Sequence, residues 1–298
     1  MVEIAAFIRR IRMCFAESRP GVQIMFVLRF LAASAVGVRY GGDGAAISYR
    51  GYAFAVLAWF LATVCVYLIN GIADSENDRV NGVGRPIGRG ELSPAEAAPI
   101  AVAAATVAIM AGAHVGIASA LLVCAFLGFG YLYSMPPFYL NRTWAGSTAV
   151  VVAGGLLTYT AGVAAAGVRP TAPVIAFGVA MSLWMGLIGA VVKDFSDVEG
   201  DRDSRTRTLI VLLAEAPLRR LITVIAALIA LGMLLAAGHI PGLGPACACL
   251  LVGAATVGYF TLTTRYRDPR RLSRRPYHAF MATQFAANAA MGVGALAI

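Results

Sequence analysis

The sequence predicts an all-α polytopic membrane protein of about nine transmembrane helices around a central cavity. Three observations carry that expectation. Of 298 residues, 59% are hydrophobic and only 13% charged, about half the ~25% charge of an ordinary soluble domain. Mean hydropathy is +0.77. Apolar runs near 20 residues recur along the chain, the length a helix needs to cross the hydrocarbon layer. Helices are the expected element because a spanning helix satisfies its own backbone polar groups. The chain reads as a single membrane domain, 1–298, and a soluble fold is excluded.

Residues 1–20 alternate Arg9, Arg10, Arg12 and Arg19 with apolar side chains. That pattern fits an amphipathic helix lying on the membrane surface better than a cleavable signal peptide. Spans are then expected near 22–38, 52–69, 97–113, 115–132, 147–167, 171–192, 218–237, 243–263 and 279–298. Several are rich in Gly and Ala, which let helices approach closely in lipid. Cys14, Cys65, Cys124, Cys247 and Cys249 form no CxxC pair. They read as small packing residues rather than disulfides or metal ligands.

The net charge of +9 comes from 24 basic and 15 acidic residues. The basic residues cluster between apolar runs, so they report orientation rather than a nucleic-acid partner. With nine spans, the N-terminus and the loops after spans two, four, six and eight share one side. Twenty of the 24 basic residues lie there, all but Arg29, Arg39, Arg50 and Arg169. Positive charge marks the cytoplasmic side. The expectation is a multi-pass protein of the cell membrane, with N-terminus and polar loops cytoplasmic and Ile298 on the far side. Membrane lipid is its expected surrounding; no nucleic acid is.

Two loops on that side carry carboxylates at helical spacing. Asn70, Asp74 and Asp78 lie at i, i+4 and i+8, and Asp194, Asp197 and Asp201 at i, i+3 and i+7. Each set forms one stripe on a helix. Lys193, Asp197 and Asp201 also follow Asn70, Asp74 and Asp78 by a constant 123 positions, a weak internal repeat that would set the two loops across one site. Two carboxylate stripes repel unless cations lie between them. Mg²⁺ suits that place, because it takes oxygen ligands and typically binds one or two carboxylates plus phosphate oxygens. Asn70, Asp74, Asp78, Asp194, Asp197 and Asp201 are therefore the candidate metal ligands, and the five Asp residues the candidate catalytic groups. Lys193, Arg85 and Arg207 are candidates for charge-assisted contacts to phosphate.

Four further residues are candidates for binding substrate. Arg29 lies within the first span, where a charge is costly unless paired or facing a polar cavity. It is a candidate for an acceptor's polar group or an inner phosphate, against simple pairing with a neighbouring helix. Tyr67 precedes Asn70 by one turn and offers an aromatic face to a carbocation, against ordinary packing. Tyr133 and Ser134 end the fourth span, where they either touch diphosphate or turn the chain before Pro136.

These motifs resemble those of the UbiA superfamily of intramembrane prenyltransferases, which carries an Asn-x3-Asp-x3-Asp first motif and an Asp-x2-Asp-x3-Asp second motif. The tract from Asn81 to Gly90 resembles the family's stretch after the first motif. Tyr133-Ser134-Met135-Pro136-Pro137 is similar to the Tyr-Ser-x-Pro-Pro of chlorophyll synthase and homogentisate prenyltransferases, and Lys193–Arg202 and Arg207-Thr208 resemble the same subgroup. The sequence departs from the family at Gly71, a place often held by Asp or Gln, at Arg205 in place of Gly, and at Asn141-Arg142. The resemblance implies Mg²⁺-dependent transfer of a prenyl group from an isoprenyl diphosphate to a small hydrophobic acceptor of the aromatic class. The alternative within the family is a terpene cyclase that folds the prenyl cation onto itself without an acceptor. A CDP-alcohol phosphotransferase would need an upstream Asp-Gly and Ala-Arg that the second span lacks. A secondary transporter would carry its ionisable residues near the bilayer midplane, not at one interface.

Overall fold

The computed structural model describes residues 2–42, 48–80, 82, 84–196, 207–265 and 267–297. Among them the regular elements are helices, with one isolated parallel bridge between Thr143 and Arg207. The chain divides into two compact units, Met1–Val27 with Ile47–Asn141, and Leu28–Ala46 with Arg142–Ile298.

The first unit holds α1 (Val2–Glu17), the start of α2 (Pro20–Gly41), α3 (Tyr49–Ala73), α4 (Ser75–Val80), α5 (Pro94–Val115) and α6 (Ile117–Ser134). Local chemistry sets these ends. The Ser48 hydroxyl caps α3 by accepting the Gly51 N–H, and Ser93 and Glu96 form a reciprocal capping box with Pro94 in the first turn of α5. Gly116, at φ +150°, makes the tight reversal between α5 and α6. Helix α3 packs against α5 and α6. A Cβ at Gly130 of α6 would stand 2.4 Å from Val66, so glycine there allows the close approach. Under the end of α1, Cys14, Cys65, Leu68, Ile87, Leu92 and Ala97 form a small core. The rest of α1 exposes Ile4, Phe7, Ile8, Ile11 and Phe15, the apolar stripe expected of a membrane-surface helix.

The second unit holds the rest of α2 with α7 (Trp144–Ala165), α8 (Ala172–Leu183), α9 (Glu215–Ala237), α10 (Gly244–Thr263) and α11 (Arg275–Leu296). Helix α8 runs on through a π-helical segment, Trp184–Gly189, into Ala190–Val192 and the 3₁₀ turn Lys193–Ser196. Such π segments are rare and recur at functional sites. Trp184, Phe177, Met181, Ile188, Leu218 and Ile222 lie in a continuous core. Leu228, Leu235, Val252 and Val293 are exposed, as lipid-facing side chains should be.

Eight helices among the described residues are long and apolar enough to cross a membrane. They match the first eight expected spans, with ends displaced by no more than about four residues. The ninth expected span falls on α11, a 22-residue helix of lower apolarity. The reason is its inward face, where Gln284 and Asn288 are fully buried and Thr283 nearly so. The protein is an all-α polytopic membrane protein. The described cysteines form no disulfide.

Candidate active site

The first motif sits where α3 gives way to α4. The Asp74 N–H donates to the Asn70 carbonyl at 2.9 Å, and the Asp78 N–H to the Asp74 carbonyl at 2.8 Å. The i, i+4, i+8 hydrogen-bond register thus continues across the break between the helices, and the predicted stripe forms.

Each member of the stripe is held. The Asn70 side-chain carbonyl accepts from Arg19 Nη2 at 2.8 Å. Its amide donates to Asp74 Oδ2 at 2.7 Å and to Ser134 Oγ at 3.3 Å. Asn141 donates to Asp74 Oδ1 at 3.3 Å. Two amides therefore fix both oxygens of Asp74, and Asn70 here orients that carboxylate. Asp78 pairs with Arg85 Nη2, and Arg85 Nη1 lies 3.5 Å from Glu17. The Arg19 guanidinium stands over the Tyr67 ring at 5.5 Å, and Tyr67 meets Phe26 edge-on. Tyr133 lies half-buried in the last turn of α6 beside the fully buried Ser134.

Burial pushes the Asp78 carboxyl up to about 6, with Asp74 and Glu17 adding to the rise and Arg85 and Arg19 opposing it. Burial also lowers Arg85 from its ordinary value, assisted by Arg19 and opposed by Asp78, Glu17 and Asp74. Both shifts are led by burial; in formal charge the carboxylates of Glu17, Asp74 and Asp78 outnumber the guanidiniums of Arg19 and Arg85, which fits a divalent cation. Among the described residues no three His, Cys, Asp or Glu side chains form a metal-holding group. Two carboxylates with room for phosphate oxygens are nonetheless the usual way Mg²⁺ is bound, so the donor set of the first motif fits the ion.

The second motif follows the π segment of α8. Lys193 Nζ lies 3.5 Å from Asp194. Asp194 lines a small recess with Trp144, Ser147, Thr148 and Thr208. The expected ligands Asp197 and Asp201 lie outside the described residues, as does Arg205. Arg207 is tethered by its backbone: its N–H donates to the Arg142 carbonyl at 2.7 Å, and its carbonyl accepts from Trp144 at 3.1 Å. Its side chain is exposed.

Arg29 belongs to a buried polar chain within the second unit. It donates to Gln284 Oε1 at 2.9 Å, and Gln284 donates to the Met181 carbonyl at 3.2 Å. Asn288 donates to the Gln284 carbonyl at 2.8 Å and accepts from the Tyr159 hydroxyl at 2.7 Å. Pairing with a neighbouring helix, the plainer expectation for Arg29, is present.

Within the first unit the structure brings together Asn70, Asp74, Asp78, Arg85, Tyr67 and Ser134. Lys193, Asp194, Arg207 and Arg29 belong to the second unit. Sequence reasoning missed Glu17, Arg19 and Asn141 as members of the first cluster. One signal was available: Glu3 and Glu17 are the only acids before Asp43, and Glu17 closes a helix otherwise read as surface-bound.

A family model for the UbiA prenyltransferase family matches residues 30–284. The chain belongs to the UbiA prenyltransferase family. The digeranylgeranylglyceryl phosphate synthase of Halobacterium salinarum is 33% identical over 191 residues, 64% of this chain and 63% of the relative. A probable homogentisate phytyltransferase 2 of Oryza sativa is 37% identical over 150 residues, 47% of this chain and 39% of the relative. The chain thus spans less than two thirds of the length of these curated relatives. A UbiA homologue from Archaeoglobus fulgidus, solved bound to GPP and Mg²⁺, shares the fold at TM-score 0.70 and 16% identity, covering 96% of this chain and all of that one.

Proposed function

We propose that this UbiA-family protein transfers a prenyl group, within the membrane, from an isoprenyl diphosphate to an aromatic acceptor, with Mg²⁺ as the metal. The observation that carries the reading is the Asn70–Asp74–Asp78 stripe with Arg85 closed over Asp78 at the polar end of an apolar helix. Magnesium, when bound, supplies Lewis acidity to the leaving diphosphate oxygens. Asp74 and Asp78 would hold the metal, and Asp194, Asp197 and Asp201 of the second motif are its further proposed ligands. Asn70 and Asn141 keep Asp74 turned to its ligand. Arg85, Lys193 and Arg207 donate charge-assisted hydrogen bonds to phosphate, and Ser134 and Tyr133 complete the polar wall. The allylic C–O bond breaks with its electron pair going to the diphosphate. The apolar spans keep water from the cation; the Tyr67 ring is the proposed aromatic stabiliser, through the face that Arg19 does not cover. A ring carbon of the acceptor attacks, and its proton is lost. Arg29 holds the acceptor's anionic group.

A second reading is favoured by the Halobacterium relative, whose name gives a glyceryl phosphate product: the acceptor is then a glyceryl phosphate lipid rather than an aromatic ring. Purified protein is incubated with Mg²⁺ and geranyl, farnesyl or geranylgeranyl diphosphate, alone, with homogentisate, or with a prenylglyceryl phosphate. Mass spectrometry of the lipid extract is expected to give a prenylated ring. An ether lipid establishes the second reading. A cyclic terpene formed without acceptor overturns both in favour of a cyclase.

A further inference from the structure

Glu17 is the last residue of α1, and its side chain is wholly buried. A carboxylate taken out of water is costly unless its charge and lone pairs are met. Oε2 accepts the backbone N–H of Ile87 at 2.9 Å. Oε1 faces Arg85 Nη1 at 3.5 Å, while the other end of the same guanidinium pairs with Asp78. On its remaining side the carboxylate rests on Gly71, in the last turn of α3 and adjacent to Asn70. A Cβ at Gly71 would lie 2.5 Å from Oε1 and 2.9 Å from Cγ of Glu17. The carboxylate therefore occupies the space that a side chain at position 71 would fill.

We propose that Glu17 is a positioning residue for the diphosphate site, rooting the Arg85–Ile87 turn on the last turn of α3 so that Arg85 stays over Asp78. This inference rests on the prenyl-diphosphate reading above. Arg85 is shared by two carboxylates. Asp78 can give its charge to a cation while Glu17 still holds the guanidinium in place for phosphate. Without Glu17, Arg85 keeps a single ion-pair anchor among the described residues, the one that the metal competes for. A residue that merely clamps α1 to the fold would affect melting but not the selectivity of the loss for diphosphate.

The test uses the full-length protein in detergent micelles, with binding of geranyl diphosphate in Mg²⁺ measured by titration calorimetry beside thermal melting. The variants are Glu17→Gln, Glu17→Ala, Gly71→Asp, and Glu17→Ala combined with Gly71→Asp. Gln still accepts the Ile87 N–H but lacks the charge, so Glu17→Gln is expected to melt close to wild type and bind about tenfold more weakly, the scale of one charge-assisted contact. Gly71→Asp alone crowds two carboxylates and also weakens binding. The double variant returns a carboxylate to the same space from α3 and is expected to recover most of the affinity that Glu17→Ala loses. Unchanged affinity in both Glu17 variants, with wild-type protein binding normally, overturns the inference. So does a double variant as weak as Glu17→Ala, which also decides the matter if Glu17→Gln fails to fold. Wild-type protein that binds no prenyl diphosphate in Mg²⁺ overturns the functional reading, and this inference with it.

Discussion

Magnesium binding at the first motif is expected to weaken as pH falls through about 6. The group responsible is Asp78, only 8% exposed, which burial raises from an ordinary 3.8 to about 6. In metal-free protein the sign is that of any raised carboxyl. Its contribution to stability is complete below pH 3.8 and is lost as pH climbs through about 6, where the buried group must ionise. Mg²⁺ requires the ionised form and so reverses that loss above pH 6. Below it, the ion must displace a proton, at a cost of about tenfold in apparent affinity per pH unit (~1.4 kcal/mol). Between pH 8 and pH 5 the apparent Mg²⁺ affinity should therefore fall about tenfold, and the rise in melting temperature given by a fixed Mg²⁺ concentration should shrink with it. Asp78→Asn removes the titrating group and should bind weakly with a flat profile. Differential scanning fluorimetry across this range, with Mg²⁺ titrated into wild type and variant, measures both. A wild-type affinity that stays level from pH 8 to pH 5, or a variant with the same slope, refutes the reasoning.

Asp74→Ala is expected to lower turnover at least about a hundredfold, the loss of ~3 kcal/mol of transition-state stabilisation, and excess chelator should stop the wild type; full turnover in chelator would remove the metal from the mechanism. Reporter fusions should place the N-terminus in the cytoplasm and Ile298 across the membrane, and both ends on one side would mean an even number of spans. Arg29→Ala should weaken acceptor binding and leave diphosphate affinity largely intact, checked by titrating each ligand separately; equal losses for both would make Arg29 a packing residue. Gly162→Ala should cost about 1–3 kcal/mol of stability by overpacking, because a Cβ there would meet the Phe30 carbonyl oxygen at 2.3 Å; an unchanged melting curve would show that the two helices can part freely.

What the sequence determined on its own was whatever depends on near neighbours along the chain. Hydropathy set the spans, because a helix in lipid needs only its own residues to be apolar and its own backbone to be bonded. The carboxylate stripe was legible for the same reason: residues four apart share a helix face, and the Asn70–Asp74–Asp78 hydrogen bonds keep that register through the helix break. The polar ninth helix blurred the hydropathy signal, because Gln284 and Asn288 are buried for their partners rather than for their apolarity. Tertiary structure alone decided which distant side chains complete the motif. Arg19 reaches Asn70 across 51 positions, Asn141 reaches Asp74 across 67, and Glu17 reaches Ile87 across 70. No periodicity links residues so far apart, and their contacts exist only once helices have packed. It also decided which way Asn70 points, since the hydrogen bond from Arg19 claims the amide carbonyl and leaves the amide nitrogen for Asp74. And it turned Glu17 from an end-of-helix charge into a buried one, because Gly71 leaves room on α3 that a carboxylate arriving from α1 can enter.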